Sequence, residues 1–431
     1  VSKPSPLRAL RHRNFRLFFG GQLISLIGTW MQQVAQSWLI FRLTNSSLLL
    51  GMVSFASQIP VFLVSPIGGH AADRLDRRRI MIATQTASMI LAFALAALTL
   101  SGRVREWHII VLAVLLGVVN AFDLPARQAA LVQMVEREDL MNAIALNSSM
   151  FNGARVVGPA IAGLLVAAIG EGWCFFANGA SYIAVIIGLM MMRMPATLEG
   201  HAVSGTAMEN IIEGFRYVAH TAPIRALLLL IGVVSFCGMP YAVLMPVFAE
   251  NILHSGARGL GILMGASGIG ALIGSIALAM RSSVRGLGTW VAVSAGAFGV
   301  TLAVFALSRS MVLSAIVLVP VGTMMMVQMA SSNTLIQSMV PDALRGRVMS
   351  VYSMMFMGMG PLGSLLAGSV ADSVGAPLAV AAGGVISIAG AVIFGLRLPN
   401  LRGEARQLIL AAQYAGGDPV QEQTATGTEA G

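Results

Sequence analysis

Twelve long apolar segments, broken once by a polar stretch at 194–222, constrain this 431-residue chain more than any other feature. They run 16–41, 48–72, 79–101, 107–130, 142–169 and 172–193, then 223–250, 258–280, 287–307, 311–338, 347–371 and 375–398. About 20 consecutive apolar residues cross a bilayer as one helix. Helices are the form in which such a segment satisfies its own backbone. Charged residues make up 10% of the chain, against about 25% in an ordinary soluble domain, too few to cover a water-soluble surface. The expected fold is an all-α integral membrane protein with two six-helix bundles.

The net charge of +9 does not point to nucleic acid, because its distribution is one-sided. With the N-terminus inside, the outer loops hold Arg42, Arg103, Arg105, Arg258 and Arg309, and Arg155 lies within a segment. All other Lys and Arg of the 27 fall inside. An excess of positive charge marks the cytoplasmic side, so both termini are expected there. Residues 1–15 form a basic tail suited to an anionic leaflet surface. Residues 16–193 and 223–398 are the two bundles. The linker, 194–222, carries Ile211, Ile212, Phe215 and Val218 at helical spacing, a pattern that suits a helix on the membrane face. Residues 399–431 are a cytoplasmic tail, mostly disordered. With no cleavable leader recognisable, the first segment is its own targeting signal.

Enzyme chemistry is not indicated. Cys174 and Cys237 fall in apolar segments and read as small core residues. The six histidines have no metal spacing, and neither a Walker loop nor a nucleophile elbow occurs in context. No cofactor is expected.

The halves repeat. Gly158-Pro159 recurs as Gly360-Pro361, Leu131-Val132-Gln133 as Leu335-Ile336-Gln337, and Gly69 as Gly274, at offsets of 202, 204 and 205. Such a parallel repeat places a site between two lobes.

Four motifs carry the functional reading. The loop after the second segment holds Gly69, Asp73, Arg74, Asp76, Arg77, Arg78 and Arg79. Gly69 would admit a close neighbour, and Asp73 could bond a helix N-terminus. The fourth segment ends with Asn120, Asp123 and Arg127 on one face. A charge there costs roughly 2.5–3.5 kcal/mol, so Asp123 is expected to pair with Arg77 or Arg78 in a conformational latch. The fifth segment contains Gly153, Arg155, Gly158, Pro159 and Gly163, and Gly-Pro should bend it. In the first segment Gln22, Ser25, Thr29, Gln32 and Gln36 share a face, expected to line a cavity or a polar neighbour. Gln58, Asn333 and Tyr352 join that candidate cavity, with methionines such as Met325 and Met355 adapting to cargo. Arg155 either bonds kink carbonyls or a polar group on the first segment, or faces an anionic cargo.

These residues resemble the major facilitator superfamily. Gly69, Asp73-Arg74 and the arginines after them resemble its loop between helices 2 and 3, with Asp76 where a glycine is usual. The Gly-Pro segment resembles its exporter motif, with Ala162 where a glycine is usual. Gly28-Thr29-Trp30, Asp123-Leu124-Pro125-Ala126-Arg127 and Pro341-Asp342-Ala343-Leu344-Arg345-Gly346-Arg347 are similar to the enterobactin-exporter-like branch. The resemblance, over about residues 8–400, implies alternating access and efflux of a small siderophore- or drug-like compound through the bacterial inner membrane. Protons are the expected coupling ion and a monomer the expected form. A lysophospholipid translocator of the same fold is the alternative within transport. A non-transporting receptor or assembly partner is the alternative outside it.

Overall fold

A computed structural model describes residues 7–193, 207–281 and 284–415. Among them the chain is helices joined by short turns. The first lobe holds α1 (Arg13–Thr44), α2 (Ser47–Arg74), α3 (Arg77–Leu100), α4 (Glu106–Gln133), α5 (Leu140–Ile169) and α6 (Glu171–Met191). After α7 (Ala207–His220) come α8 (Ala222–Ile252), α9 (Gly256–Ala279), α10 (Leu287–Leu307) and α11 (Met311–Met339). Then follow α12 (Asp342–Ser353 and Met359–Val374, joined by a π turn) and α13 (Ala376–Ala415).

Eleven of these helices are long and apolar enough to cross a membrane. The first of the twelve expected spans, α1, is long enough, but its glutamine-bearing stripe dilutes it, and it packs against α5 and α6. Local signals set the boundaries. Ser46 caps α2 by accepting from Leu49 N, and Asp76 caps α3 by accepting from Arg78 N and Arg79 N. Asp76 therefore starts a helix where the family pattern has a glycine. Gly170 (φ 86°) turns α5 into α6 and Gly375 (φ 92°) turns α12 into α13. Glycine enters that region of φ without a Cβ penalty, and the two lie 205 residues apart, the repeat offset again.

In the first lobe α2 packs on α4, and α3 on α4 and α6; in the second α11 packs on α9 and α10, and α10 on α13. The lobes meet along α2–α12 and α5–α9. One end of the molecule carries the N-terminal tail, the α2–α3 and α4–α5 connections, α7 and the C-terminal extension. It is called the basic end here, and the opposite end the far end. At the basic end α7 rests on α12 through Glu213–Arg347 (2.6 Å), with Val218 buried but Ile212 and Phe215 exposed. α13 runs to Ala415, so residues 399–415 of the tail are helical. Leu401, Ala405, Leu408 and Ile409, at helical spacing, pack it on the second lobe. Residues 194–206 and 416–431 lie outside the described residues.

Candidate functional site

The contact between the lobes is asymmetric. On the far side of the α5–α9 seam Gly163 and Gly261 touch backbone to backbone; a Cβ on Gly163 would sit 2.9 Å from the Gly261 Cα. On the α2–α12 seam Gly368 lies against Ser47 and Gly51 in the same way. Polar ties close this end. Asp372 Oδ1 accepts from the Ser47 backbone N–H at 3.0 Å and from Ser46 Oγ at 3.4 Å, and Asn251 donates to Asn45 at 3.4 Å. Toward the basic end the seams open. A Cβ added at Gly69, Gly153, Gly346 or Gly360 would meet nothing within 4 Å. The lobes are thus closed at the far end and parted at the basic end.

The arginine loop sits at the parted end. Asp73 is exposed and makes no hydrogen bond or ion pair among the described residues. Arg74 is also exposed. Gly69 does not admit a close neighbour. Gly68 does, against the Ala121 carbonyl of α4, because one residue turns a helix by about 100° and so selects a different face. Arg77 donates to the Ala72 and Ala129 carbonyls, and Arg78 to those of Leu189 and Met190 at the end of α6. Ala72 and Met190 lie in the last turns of α2 and α6, where carbonyls lack intrahelical partners and cations are favoured. Arg79 lies 3.5 Å from Asp76.

Asp123 therefore does not pair with Arg77 or Arg78. It is 2% exposed and bonded within the bundle. Thr84 Oγ1 (2.8 Å) and Gln85 Nε2 (3.0 Å) of α3 donate to Oδ1, and Arg127, one turn on, donates to Oδ2. That Asp123 lies toward the α2–α3 loop end of α4 was readable from the sequence, whereas the face it presents, toward α3, was not.

The α1 stripe divides. Gln22 and Ser25 are buried, and Gln32, buried too, accepts from Asn178 of α6 at 2.7 Å. Gln22 and Gln32 are thus interhelical rather than cavity-lining. Thr29 is exposed, Gln36 half-buried, and Gln58 exposed with its amide on Ser54. In the second lobe Asn333 is half-buried and accepts from Gln337 at 2.7 Å. Tyr352 is 8% exposed, with its ring near Phe356, so it belongs to the core. On α5, Gly158 lies against Trp30 and Ile27 of α1, Gly163 meets α9, Gly153 is open, and Pro159 sits inside a continuous helix. Arg155 bonds neither kink carbonyl nor α1 amide. Its guanidinium lies 5.9 Å from the centre of the Trp30 ring, which meets Phe151 edge-on at 5.6 Å.

One cluster escaped the sequence reading. The basic tail is held by the protein itself. Asp139 is 1% exposed, and Arg8 (3.1 Å), Arg11 (2.9 Å) and His12 (2.7 Å) converge on its carboxylate. Asn14 exchanges hydrogen bonds with the backbone of Arg193. An acidic run, Glu136, Glu138 and Asp139, opposite a basic tail is the signal that could have found it.

Comparison with known proteins places this architecture. The model of the transmembrane secretion effector family matches residues 4–423. The chain is 27% identical to the staphyloferrin A transporter of Staphylococcus aureus (strain NCTC 8325 / PS 47), over 88% of this chain and 95% of that one. It is 28% identical to the multidrug efflux pump Tap of Mycolicibacterium fortuitum, over 81% and 87%. To the enterobactin exporter EntS of Citrobacter koseri (strain ATCC BAA-895 / CDC 4225-83 / SGSC4696) it is 25% identical, over 95% and 96%. Among solved structures it resembles a point mutant of the nucleoside transporter NupG (TM-score 0.74, 14% identity, 91% of this chain and 99% of that one). It also resembles an inward-facing bacterial homologue of the lysosomal transporter Spinster (TM-score 0.66, 16% identity, 96% and 99%). The motifs, the two-lobed all-helical fold and this full-length match agree: the chain belongs to the transmembrane secretion effector family of the major facilitator superfamily, a multi-pass membrane transporter of small molecules and not an enzyme.

Proposed function

We propose that the protein exports a small amphipathic organic compound across the bacterial inner membrane by alternating access, driven by protons. The parting of the lobes at the basic end carries this reading. With the basic end in the cytoplasm, that is the state in which an exporter loads. Gly69, Asp73 and Arg74 form the first lobe's half of a latch that meets the start of α12 when this end closes. Arg77 and Arg78 anchor the loop to α4 and α6. Gly158, Pro159 and Gly163 keep α5 close to α1 and α9, and Gly153 marks where that contact ends. Thr29, Gln36, Gln58 and Asn333 retain polar exposure suited to cargo. Arg155 cannot shed its charge at ordinary pH, and among the described residues it makes no hydrogen bond, standing beside Trp30 and Phe151. That setting suits an anionic compound with an aromatic or apolar body. Asp123, buried on α4 with Arg127 as its cationic partner, is the carboxylate this reading assigns to coupling.

Uptake into inverted vesicles, with and without an imposed proton gradient, tests the reading. Gradient-stimulated accumulation of siderophore- or drug-like compounds is expected. Movement of lysophospholipids alone would replace it with the lipid-translocator reading, and absence of any transport would overturn it.

A further inference from the structure

Asp372 stands at a place its own helix disfavours. It lies in the last turn of α12, which ends at Val374. An anion there meets the negative end of the helix dipole. Its compensation comes from the other lobe. Ser47 is the first residue of α2, and its N–H is one of the four that a helix start leaves without an internal partner. Asp372 accepts that N–H at 3.0 Å and the hydroxyl of the capping residue Ser46 at 3.4 Å. The carboxylate of one lobe thus completes the N-terminus of a helix in the other.

The opposite end of the same helix pair mirrors this arrangement with the roles exchanged. Asp73 lies in the last turn of α2, equally out of place on its own helix. The start of α12 across from it has Pro341 as its capping residue and receives no side-chain hydrogen bond there. In this structure the far pair is joined, while Asp73 is exposed without a partner among the described residues.

We infer that Asp372 is the positioning residue of the far gate: its carboxylate, bound to the start of α2, holds the transporter open at the basic end. It is released when the basic end closes. The inference rests on the alternating-access reading. It adds a gate residue that the arginine-loop motif does not include, on the other lobe and at the other end. Each helix of the pair then lends its misplaced aspartate to the other's N-terminus, one end at a time.

The test uses the full chain in lipid, with Cys174→Ala and Cys237→Ala and spin labels at Arg137→Cys and Gly346→Cys. Both label positions are exposed at the basic end, one on each lobe. The parent protein should show a long distance for the parted lobes and a shorter one for the closed state. Asp372→Asn should raise the short population about two- to fivefold, the worth of an anion at an exposed helix N-terminus. Asp372→Glu should restore it partly, and Asp73→Asn should move the ratio the other way. Ser46→Ala, which removes one donor, should shift it as Asp372→Asn does but by less, and it decides the matter if Asp372→Asn does not fold. An unchanged ratio in Asp372→Asn while Asp73→Asn still shifts it would overturn the gate alone. A single distance in the parent protein under every cargo and pH condition would overturn alternating access, and the gate with it.

Discussion

The two lobes share one plan and differ in chemistry at equivalent places. At the 204-residue offset of this helix pair Asp123 and Arg127 of α4 correspond to Val327 and Ser331 of α11, with Gln328 and Ser332 each one residue further on. At the 202-residue offset of the Gly-Pro pairs, Arg155 of α5 corresponds to Met357 of α12. The first-lobe acid has a donor on each oxygen. Beside its second-lobe counterpart, Gln328 is fully buried with both amide atoms unpartnered among the described residues, as are the hydroxyls of Ser331 and Ser332. Charge in one lobe and uncharged polarity in the other separate two tasks. On the proposed reading the first lobe is the half that answers to protons and to anionic cargo. The second offers shape, through methionines and π turns, and π turns concentrate at functional sites.

The largest expected effect comes from breaking the charged side. Arg127→Ala leaves Asp123 buried with neutral donors alone, and removing one partner of a buried pair costs about 3–5 kcal/mol. Since the Arg127 side chain is 21% exposed, the low end, about 3 kcal/mol, is expected as loss of thermal stability in detergent. Asp123→Asn on top of it should recover most of that loss. If the double variant is no better than the single one, the charges do not set the cost.

Transport separates the lobes next. In inverted vesicles Asp123→Asn should abolish stimulation by a proton gradient while cargo still binds. Gln328→Leu should leave the stimulation in place. Matching behaviour of the two variants would erase the division of labour. Arg155→Gln should then lower export of an anionic cargo about tenfold relative to a neutral analogue, the order of one charge-assisted hydrogen bond. Met357→Gln should not discriminate between them, and equal loss of both cargoes in Arg155→Gln would make Arg155 a packing residue.

The smallest effect has the most informative sign. An unsatisfied buried amide costs about 1–3 kcal/mol, so Gln328→Met should raise stability by about 1 kcal/mol. A fall in melting temperature instead would mean that Gln328 is hydrogen-bonded in the working protein, and the two lobes would be more alike than their contacts indicate.

What the sequence made legible is what periodicity and charge encode. The segments, the repeat and the polar face of α1 follow from spacing, and Gly170 and Gly375 extend the repeat into the turns. Partnership was less legible. Asp123 was expected against the arginine loop because both lie at one depth, but its azimuth turns it to Thr84 and Gln85. Gln22 and Gln32 were expected to line a cavity, yet the neighbouring α6 brings Asn178, whose polarity is visible only once the helices are packed. Asp372 and Asp139 carry no motif. Each gains its role from a segment hundreds or scores of residues away.

The glycine seams have a consequence for speed. Where Gly163 meets Gly261 and Gly368 meets Gly51, the lobes touch through backbone with no long side chains between them. Parting and rejoining such a surface freezes and frees almost no rotamers, and side-chain ordering can otherwise cost up to about 2 kcal/mol per residue. On the alternating-access reading, little friction and little entropy then stand between the two positions of the lobes. A bulkier residue at Gly163 or Gly368 would act like grit in a bearing, slowing each cycle even where both end positions can still be reached.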